Sequence, residues 1–509
     1  MSPAYTVGVD IGSTSIKAVI YNEKGEFVTG ASRPMPLRYV DPDHPEWCVW
    51  EPEEVWNNAR ESLCEAVSNI DDKENIKGIT CTGFAFDGVP LDKDGNALYP
   101  FISWHCPRTQ EIFDELREAF GARDIFYKTG KTPWVIDPIY RLHWLKRNEP
   151  EVFEKIDKYV LIVDYIVFRL TGRVVSDYTM ALSTSVFDVH SLSWDRDEIE
   201  RMDLPQHIWC EAIPSGTVAG TITKEIAGQT SLDPKTIVTM GGHDFTTAAI
   251  AIGAIEEGVV VDIAGTWEMI YAPSRTVELS DPLMNSGFYV DVHSQKGLYV
   301  YVCSMVSGDM TEWLRENLYF GAGTESGKVW EEIAATAAEA ALGSKGCCFL
   351  PLFSGSIADP KDRGAFVGMS NQTGRVEMTR AVFEGLNYQI RNTFEIMDDL
   401  VPVRRERMVV TGGASKNTFW MQNKADITGI ELEVPDVYEI TTLGGALAAM
   451  IGAGIYSDAK QAYEATKKPC KKYVPDMKKY EQYTQYYEKV FLKLQNTLNE
   501  INHLIYELK

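Results

Sequence analysis

A short segment near the start of the chain recurs about half a chain length later, and this repeat constrains the fold more than any other feature. Val9-Asp10-Ile11-Gly12-Ser13-Thr14 returns as Val261-Asp262-Ile263-Ala264-Gly265-Thr266 in a chain of 509 residues. Each copy reads as the end of an apolar strand followed by a tight turn of small and hydroxyl-bearing residues. Such turns present backbone N–H groups and hydroxyls to an anion with little Cβ bulk in the way. Two phosphate-binding turns, one in each half, predict a nucleotide clamped between two similar domains.

Length and charge agree with this interpretation. A chain of 509 residues exceeds what one hydrophobic core usually supports, so two domains are expected, residues 1–247 and residues 248–509. The formal net charge of −24 argues against nucleic acid and against an anionic membrane as partners, because both favour a basic surface. ATP remains compatible, since Mg²⁺, backbone N–H groups and one or two basic side chains can balance its charge locally.

The cysteines and the N-terminus predict a cytoplasmic protein. The nine cysteines are an odd number and contain no C-x-x-C pair, which disfavours a disulfide scaffold and a structural zinc site. Reduced, mostly buried thiols in a cytosolic protein are the expected state. The first residues show no signal peptide, and no apolar stretch reaches the length of about 18 residues that a membrane span needs.

Strand-like and helix-like patterns alternate along the chain, as in an α/β protein. Strands are predicted at 5–10, 15–21, 76–82, 237–240, 258–262, 288–292, 298–302 and 408–411. Helices are predicted at 51–70, over most of 110–171, and at 480–508, where an amphipathic helix is expected to pack on the second domain. Gly25 suits a turn with positive φ between the first two strands.

The first turn carries an acid, a glycine and hydroxyls within a few residues. Asp10, at a strand end, could hold Mg²⁺ through water, because hard cations prefer carboxylates and keep much of their hydration. Gly12, Ser13 and Thr14 could cradle the terminal phosphates of a nucleotide. Lys17 either adds charge to this turn or is a solvated hairpin residue. A plain hairpin with a polar turn is the alternative, which the repeat at 261–266 disfavours.

A second candidate is Asp244, which follows two glycines after the strand at 237–240. One interpretation is a carboxylate that caps the N-terminus of the next, alanine-rich helix. The other is a general base that orients a substrate hydroxyl and accepts its proton late in phosphoryl transfer. His243 could supply a further hydrogen bond or be structural. Farther on, Gly412-Gly413 after a strand would let a flat base approach the backbone closely.

In this order, the motifs resemble those of the FGGY family of carbohydrate kinases, from Val7 to about Tyr456. Pro138-x-x-Arg141-Leu142-x-Trp144-Leu145 and Ala381-x-x-Glu384-Gly385 are also similar to signatures of that family. The resemblance implies an α/β fold of two actin-like, ribonuclease H-like domains beside a deep cleft, with ATP mainly on the second domain and the sugar mainly on the first. It implies Asp244 as the catalytic base and Asp10 as the Mg²⁺-linked acid. The residues that it places at ATP are Gly12, Ser13, Thr14, Gly265, Thr266, Gly308, Gly413 and Asn417.

The segments that would contact the substrate look most like those of the L-fuculokinase group of the family. Phe86-Asp87 and Ser103-Trp104-His105 carry this resemblance in the first half, and Trp267-Glu268 carries it in the second. Carboxylates at 87 and 268 suit hydrogen bonds from vicinal hydroxyls, and the aromatic rings at 86 and 104 suit an apolar or methyl end of a sugar. Trp104 could instead be core, and Asp87 a turn residue.

The sequence therefore predicts ATP-dependent phosphorylation of the primary hydroxyl of a ketose, with L-fuculose as the first choice. L-rhamnulose, D-xylulose, ribulose and erythritol are the alternative acceptors. A nucleotide-gated binding protein with actin-like domains is the alternative from another class. A homodimer is compatible with the family resemblance, but no residue of the sequence requires it.

Overall fold

Two mixed β-sheets, each flanked by helices, make up the computed structural model, which describes residues 3–265, 267–319, 326–353, 355 and 361–508. Within these residues the first sheet has six strands, in the order Val218–Thr221, Ile237–His243, Ile76–Gly83, Tyr5–Ile11, Ser15–Asn22 and Phe27–Pro34. The second sheet has seven described strands, in the order Tyr289–Val292, Tyr299–Val306, Trp267–Ser274, Val259–Ala264, Arg407–Thr411, Leu432–Pro435 and Cys470–Tyr473. The expected α/β class is thereby confirmed.

Helices and short strands fill the connections between these strands. The α-helices described are Pro52–Ser68, Gln110–Phe120, Ala122–Thr129, Pro138–Asn148, Pro150–Phe153, Ile162–Thr171, Tyr178–Leu182, Arg196–Arg201, Lys224–Thr230, Asp244–Ala251, Asp281–Asn285, Gly308–Leu318, Ser326–Glu339, Arg375–Leu400, Thr418–Thr428, Ile440–Gly452, Ala459–Thr466, Met477–Tyr486 and Leu492–Glu507. Short strands are Arg38–Tyr39, Cys48–Trp50, Gly88–Leu91, Phe101–Ile102, Lys158–Leu161, Val175–Asp177, Phe187–Asp188, Ser193–Trp194, Glu211–Ile213, Cys348–Leu350 and Ala365–Val367. Across the described ranges, no helix is both long and apolar enough to cross a membrane.

The sequence repeat corresponds to a structural repeat. In the first sheet, Tyr5–Ile11 pairs with its antiparallel hairpin partner on one side and with the parallel strand Ile76–Gly83 on the other. In the second sheet, Val259–Ala264 holds the same place, with a hairpin partner on one side and the parallel strand Arg407–Thr411 on the other. Both copies of the repeated segment therefore end a central strand and enter a hairpin turn.

Local sequence explains the first long helix, Pro52–Ser68. Proline is favoured in the first turn, where its missing N–H costs no hydrogen bond, and Glu53 and Glu54 complement the positive end of the helix dipole. Trp56 and Leu63 lie at helical spacing on one face and are buried in the first core. Burial of one such large apolar side chain contributes roughly 1.5–3 kcal/mol.

The helix Ile440–Gly452 returns from the second half of the chain to pack on the first sheet. Thr6 Oγ1 donates a hydrogen bond to the carbonyl of Ala446 at 3.0 Å. A Cβ on Gly8 would overlap a carbonyl of this helix, and a Cβ on Gly444 would overlap a carbonyl of the helix that begins at 244. Glycine at these two positions lets the backbones touch where the two halves of the chain cross.

The C-terminal segment is helical, as predicted, with a π-helical turn at Tyr487–Phe491 that separates two α-helices. Tyr483 and Leu494 are buried against the second domain. Ile501 and Ile505 are exposed in the last turns. The last helix therefore packs through Leu494 and Asn502, and its outer face is exposed.

Candidate active site

Three loops of the first domain meet at one edge of the first sheet. Tyr5–Ile11, Ile76–Gly83 and Ile237–His243 run parallel, and their last residues pair with one another. Because the carboxyl ends of parallel strands share one edge, the loops that follow these strands lie side by side. The first glycine turn, the segment that contains Phe86, and Asp244 are brought together in this way.

The first glycine turn is a tight hairpin turn. Gly12 N–H donates to the carbonyl of Ser15 at 3.1 Å, and a Cβ at position 12 would lie 2.9 Å from that oxygen. Ser13 is half-buried and Thr14 is exposed. The turn therefore offers small, hydroxyl-bearing residues at the edge of the sheet, as the sequence predicts.

The carboxylate of Asp10 is partly shielded from solvent. It is half-buried, and its Oδ1 is buried with no hydrogen-bond partner among the described residues. Burial raises the pKa of Asp10 to about 8, the negative charge of Asp244 adds to the rise, and the ammonium of Lys17 opposes it. Lys17 Nζ is itself held by both oxygens of Glu439 at 3.0 Å. A cation at this carboxylate would remove the cost of its charge.

If Asp10 bound a metal ion, substrate phosphates and water would have to supply the other ligands. The structure, over the residues it describes, contains no group of three or more His, Cys, Asp or Glu side chains placed to hold a metal ion. Mg²⁺ is commonly held by one or two carboxylates together with substrate phosphates and water, so a single acid at this position fits such an ion.

Asp244 is the first residue of the helix Asp244–Ala251. Its Oδ1 accepts a hydrogen bond from Phe245 N–H at 2.6 Å, and 38% of its side chain is exposed. The carboxylate lies at the positive end of the helix dipole. The carboxylate thus combines a fixed position with access for a ligand hydroxyl, which a capping residue alone does not need.

The turn before this helix is braced by residues that the sequence did not single out. Thr179 Oγ1 accepts His243 N–H at 2.7 Å, and Asp177 Oδ1 accepts Thr179 Oγ1–H at 2.7 Å and Ser215 Oγ–H at 3.0 Å. Gly242 has φ of 76°, and a Cβ there would overlap both Asp177 and Thr179. No spacing rule connects 177 and 179 with 242, so only the fold reveals this brace.

An aromatic surface lies beside Asp244. Phe86 has φ of 77°, a conformation that bulky L-residues rarely adopt and that often marks a functional site. Its ring packs edge-to-face on Trp134 at 6.0 Å and on His243 at 6.4 Å between centroids. Trp134 remains 53% exposed. This tryptophan lies in no motif, so no sequence pattern could have identified it.

Asp87 lies behind this surface with both of its oxygens engaged. Its Oδ2 accepts Trp50 Nε1–H at 2.7 Å and Trp104 N–H at 3.2 Å, and its Oδ1 accepts Arg141 Nη1–H at 2.6 Å. Burial raises the pKa of Asp87, and Arg141 opposes the rise. Trp104 is half-buried and stacks on His105 at 3.7 Å. Asp87 therefore organises its neighbours, and its carboxylate is fully buried.

A second group of loops meets at one edge of the second sheet. The strand that ends at Ala264 and the strand Arg407–Thr411 are parallel neighbours, so Gly265 and Gly413 follow them side by side. Gly412 has φ of 89°, and a Cβ on it would overlap the carbonyl of Ala264. Around Gly413 the space is open and the residue is exposed. The close contact therefore joins the second glycine turn to the Gly-Gly turn.

Two further candidates lie on this edge. Trp267 pairs with Val306, which brings Gly308, at the start of the next helix, to the same edge. Asn417 caps its helix, with its Oδ1 accepting a backbone N–H at 3.0 Å. Thr266, which the resemblance places at ATP, lies outside the described residues.

Glu268 is not at the surface where the sequence placed a sugar ligand. It is fully buried, and its Oε1 accepts a hydrogen bond from Lys424 Nζ, which also contacts Asp262. Burial and the charge of Glu268 raise the pKa of Asp262 to about 8, while Lys424 opposes the rise. Glu268 therefore belongs to an ion cluster inside the second domain, beneath the second glycine turn. Lys424 lies on a helix about 160 residues away along the chain, so sequence spacing could not have paired them.

Comparison with known proteins identifies the family of this chain. A model of the FGGY family of carbohydrate kinases, N-terminal domain, matches residues 5–251, and the C-terminal domain model of the same family matches residues 260–453. The chain belongs to the FGGY family of carbohydrate kinases. This FGGY kinase is therefore an ATP-binding phosphotransferase with an alcohol group as acceptor, and the non-enzymatic alternative is set aside.

Individual relatives differ in their acceptors. The L-fuculokinase of Escherichia coli strain K12 is 28% identical over 454 residues, which cover 89% of this chain and 93% of that enzyme. The glycerol kinase of Thermococcus gammatolerans is 30% identical over 485 residues, which cover 93% of this chain and 94% of that enzyme. The crystal structure of xylulose kinase from Rhodospirillum rubrum has a TM-score of 0.90 at 29% identity and covers 98% of this chain and 100% of that chain.

Proposed function

We propose that this FGGY kinase phosphorylates the C1 hydroxyl of L-fuculose to give L-fuculose 1-phosphate. The observation that carries the proposal is the exposed carboxylate of Asp244 beside the aromatic surface of Phe86 and Trp134. L-Fuculose is a 6-deoxyketose, with its one primary hydroxyl at one end and a methyl group at the other. A carboxylate base and an adjacent apolar surface suit these two ends.

Asp244 is the proposed general base. Transfer of the γ-phosphoryl group passes through a loose transition state, so the base needs only to orient the hydroxyl and accept its proton late. Asp244 is fixed at the N-terminus of its helix, and its exposure gives a hydroxyl access.

The phosphates of ATP are proposed to lie between the two glycine turns, Gly12–Thr14 and 265–266, with the base of the nucleotide near Gly413. Gly308 and Asn417 flank this site from the second sheet. Asp10 is the proposed residue that holds Mg²⁺, which supplies positive charge against the phosphates. Closure of the two domains would keep water from the phosphoryl group.

The sugar would bind on the first domain against Phe86, Trp104 and Trp134. In this proposal Asp87 acts by holding Trp104 and Arg141 in place, because its own oxygens are engaged. Arg141 Nε and Nη2 and Trp104 Nε1 are buried, and no hydrogen-bond partner for them exists in the described part of the chain. Such unsatisfied donors favour a ligand that brings oxygen acceptors.

Relatives support this choice and also define its competitors. L-Fuculokinases match about nine-tenths of the chain, as in Escherichia coli. Relatives named glycerol kinase and xylulose kinase have similar identities, so glycerol and D-xylulose are the acceptors to compare. Neither of these compounds has a methyl group for the aromatic surface, whereas L-fuculose and L-rhamnulose both do.

The test is coupled ADP release with Mg-ATP and a panel of L-fuculose, L-rhamnulose, D-xylulose, D-ribulose, erythritol and glycerol. We expect the highest kcat/KM with L-fuculose. Preference for any other acceptor would overturn the substrate while leaving the kinase activity in place.

Asp244→Asn tests the base. General base catalysis typically contributes about 10²- to 10⁴-fold, so we expect kcat to fall by that range while ATP still binds. Asp94→Asn is the matched control, because Asp94 lies in an exposed hairpin turn. An Asp244→Asn enzyme with kcat within threefold of the parent would contradict the assignment.

A further inference from the structure

His243, whose role the sequence left open, lies between two carboxylates. Its Nε2 is 3.7 Å from Asp244 Oδ1, and its Nδ1 is 3.8 Å from Asp291 Oδ2. Nδ1 is buried and has no hydrogen-bond partner among the residues that the structure describes. The ring is wedged edge-to-face between Phe86 and Phe245, which fixes the directions of both nitrogens.

Asp291 faces His243 from the second sheet. It is fully buried on the strand Tyr289–Val292, and its Oδ2 accepts Lys131 Nζ–H at 2.8 Å. Burial alone would raise the pKa of Asp291, but Lys131 and His243 outweigh it and hold the pKa below its usual value. The carboxylate of Asp291 can therefore accept a hydrogen bond from a protonated Nδ1 of His243. In that tautomer the lone pair of Nε2 faces Asp244.

This arrangement spans the two domains. Lys131 belongs to the first half of the chain and Asp291 to the second. They form a buried ion pair beside His243. Breaking a buried pair of this kind is strongly destabilising, because losing either partner leaves an uncompensated charge. The position of His243 thus depends on both halves of the protein at once.

Other titratable groups lie near His243 and Asp244, but each of them has a different environment from that of Asp291. Asp10 acts on Asp244 from the first glycine turn, where Lys17 offsets its charge. Tyr289, on the strand of Asp291, has its pKa raised by burial and stays neutral. Asp177 has its pKa raised to about 6 by burial and already accepts hydrogen bonds from Thr179 and Ser215.

We propose that His243 is a positioning residue for Asp244 that receives the substrate proton from it, and that Asp291, balanced by Lys131, orients His243. The proposal rests on Asp244 as the base of the proposed function. As the substrate oxygen bonds to the γ-phosphorus and the bond from that phosphorus to ADP breaks, the hydroxyl proton moves to Asp244 Oδ1.

The proton then passes from Asp244 Oδ1 to His243 Nε2. Asp291 stabilises the imidazolium that forms, in the manner of a carboxylate that orients a histidine base, and the proton leaves to solvent after the product is released. ATP and the sugar supply every atom and electron in this sequence. The separations of 3.7 and 3.8 Å shorten to hydrogen bonds when the domains close on substrate, as polar contacts in unliganded active sites often do.

The experiment is steady-state kinetics from pH 5.5 to 9 on the full-length enzyme with His243→Gln, Asp291→Asn and the double variant. Each single change is expected to lower kcat about 10²-fold, with both KM values within threefold of the parent. The double variant should lose little more than either single variant, because the two residues act as one unit. His190→Gln, at an exposed histidine, is the control.

Two readouts separate this role from a structural one. The parent enzyme should lose kcat toward acid pH, because a protonated His243 cannot accept a proton, and His243→Gln should lack that decline. His243→Asn, which keeps a donor near the Nδ1 position but nothing facing Asp244, should be as slow as His243→Gln.

The proposal is overturned if the losses of the two single variants multiply in the double variant. It is also overturned if His243→Gln keeps kcat within threefold of the parent, or if His243→Asn restores activity. Failure of the proposed function would look different. An Asp244→Asn enzyme that keeps its activity would show that Asp244 is not the base. Melting temperature and ADP binding, measured on each variant, identify any variant that has not folded.

Discussion

Lys424→Met is expected to destabilise the second domain by about 3–5 kcal/mol, the usual cost of removing one partner from a buried ion pair. Lys424, Asp262 and Glu268 are all fully buried, and Lys424 Nζ contacts both carboxyl groups. Methionine replaces most of the volume of the lysine stem but supplies no positive charge. The cost is therefore electrostatic rather than a cavity.

The cluster has no other group to replace the lysine. Asp262 Oδ1 and Glu268 Oε2 are buried and have no hydrogen-bond partner within the described residues. Burial and Glu268 raise the pKa of Asp262 to about 8 even with Lys424 present. Without Lys424, nothing opposes this rise, so the folded protein holds a proton on Asp262 that the unfolded chain releases above about pH 4. The loss of stability should consequently be larger at pH 8 than at pH 5.

Urea unfolding, followed by tryptophan fluorescence at both pH values, measures this loss. Lys493→Met is the matched control, because Lys493 is exposed on a helix and its replacement should change stability by no more than about 0.5 kcal/mol. Combining Lys424→Met with Asp262→Asn and Glu268→Gln removes every charge and should recover most of the loss. A single variant as stable as the control, or a triple variant no better than the single one, would refute the reasoning.

Two further changes test other parts of the structure. Burial raises the pKa of Asp164 from 3.8 to about 8, so the folded protein keeps a proton that the unfolded chain releases, and this group reduces stability as pH rises from about 4 to 8. Asp164→Asn should therefore gain stability over the parent at pH 8 relative to pH 5 in urea unfolding, and an equal difference at both pH values would contradict this. Gly242→Ala should lower kcat about 10²-fold by displacing Asp244, because its Cβ would overlap Asp177 and Thr179. Gly454→Ala, with a similar φ of 72° but open space around it, should leave kcat unchanged, and equal effects at the two glycines would show that backbone strain alone is responsible.

Local patterns predicted the elements that carry the site. The apolar runs at 5–10, 15–21 and 76–82 are strands, and Gly25 has the positive φ that its turn requires. These features depend on residues a few positions apart, which a single sequence contains. The position of Asp244 at a helix start after a glycine pair followed in the same way.

Such local patterns could not identify the partners of buried charges. Asp87 and Glu268 were expected at the sugar because carboxylates suit hydroxyls, but Arg141 and Lys424 engage them inside the fold. Burial makes an unpaired charge costly, so the fold supplies a partner from wherever the chain passes, and nothing in sequence spacing identifies that partner.

The sequence by itself determined the two halves, their glycine turns and the family, because a repeated strand and turn is a local pattern with a fixed chemical use. Tertiary structure alone decided which side chains line the candidate site and which hold the others in place. Trp134 reached the surface beside Phe86, and Asp291 came from the second sheet to His243. Such contacts join residues distant in the chain, and their energies depend on burial and direction, which exist only once the two sheets are assembled.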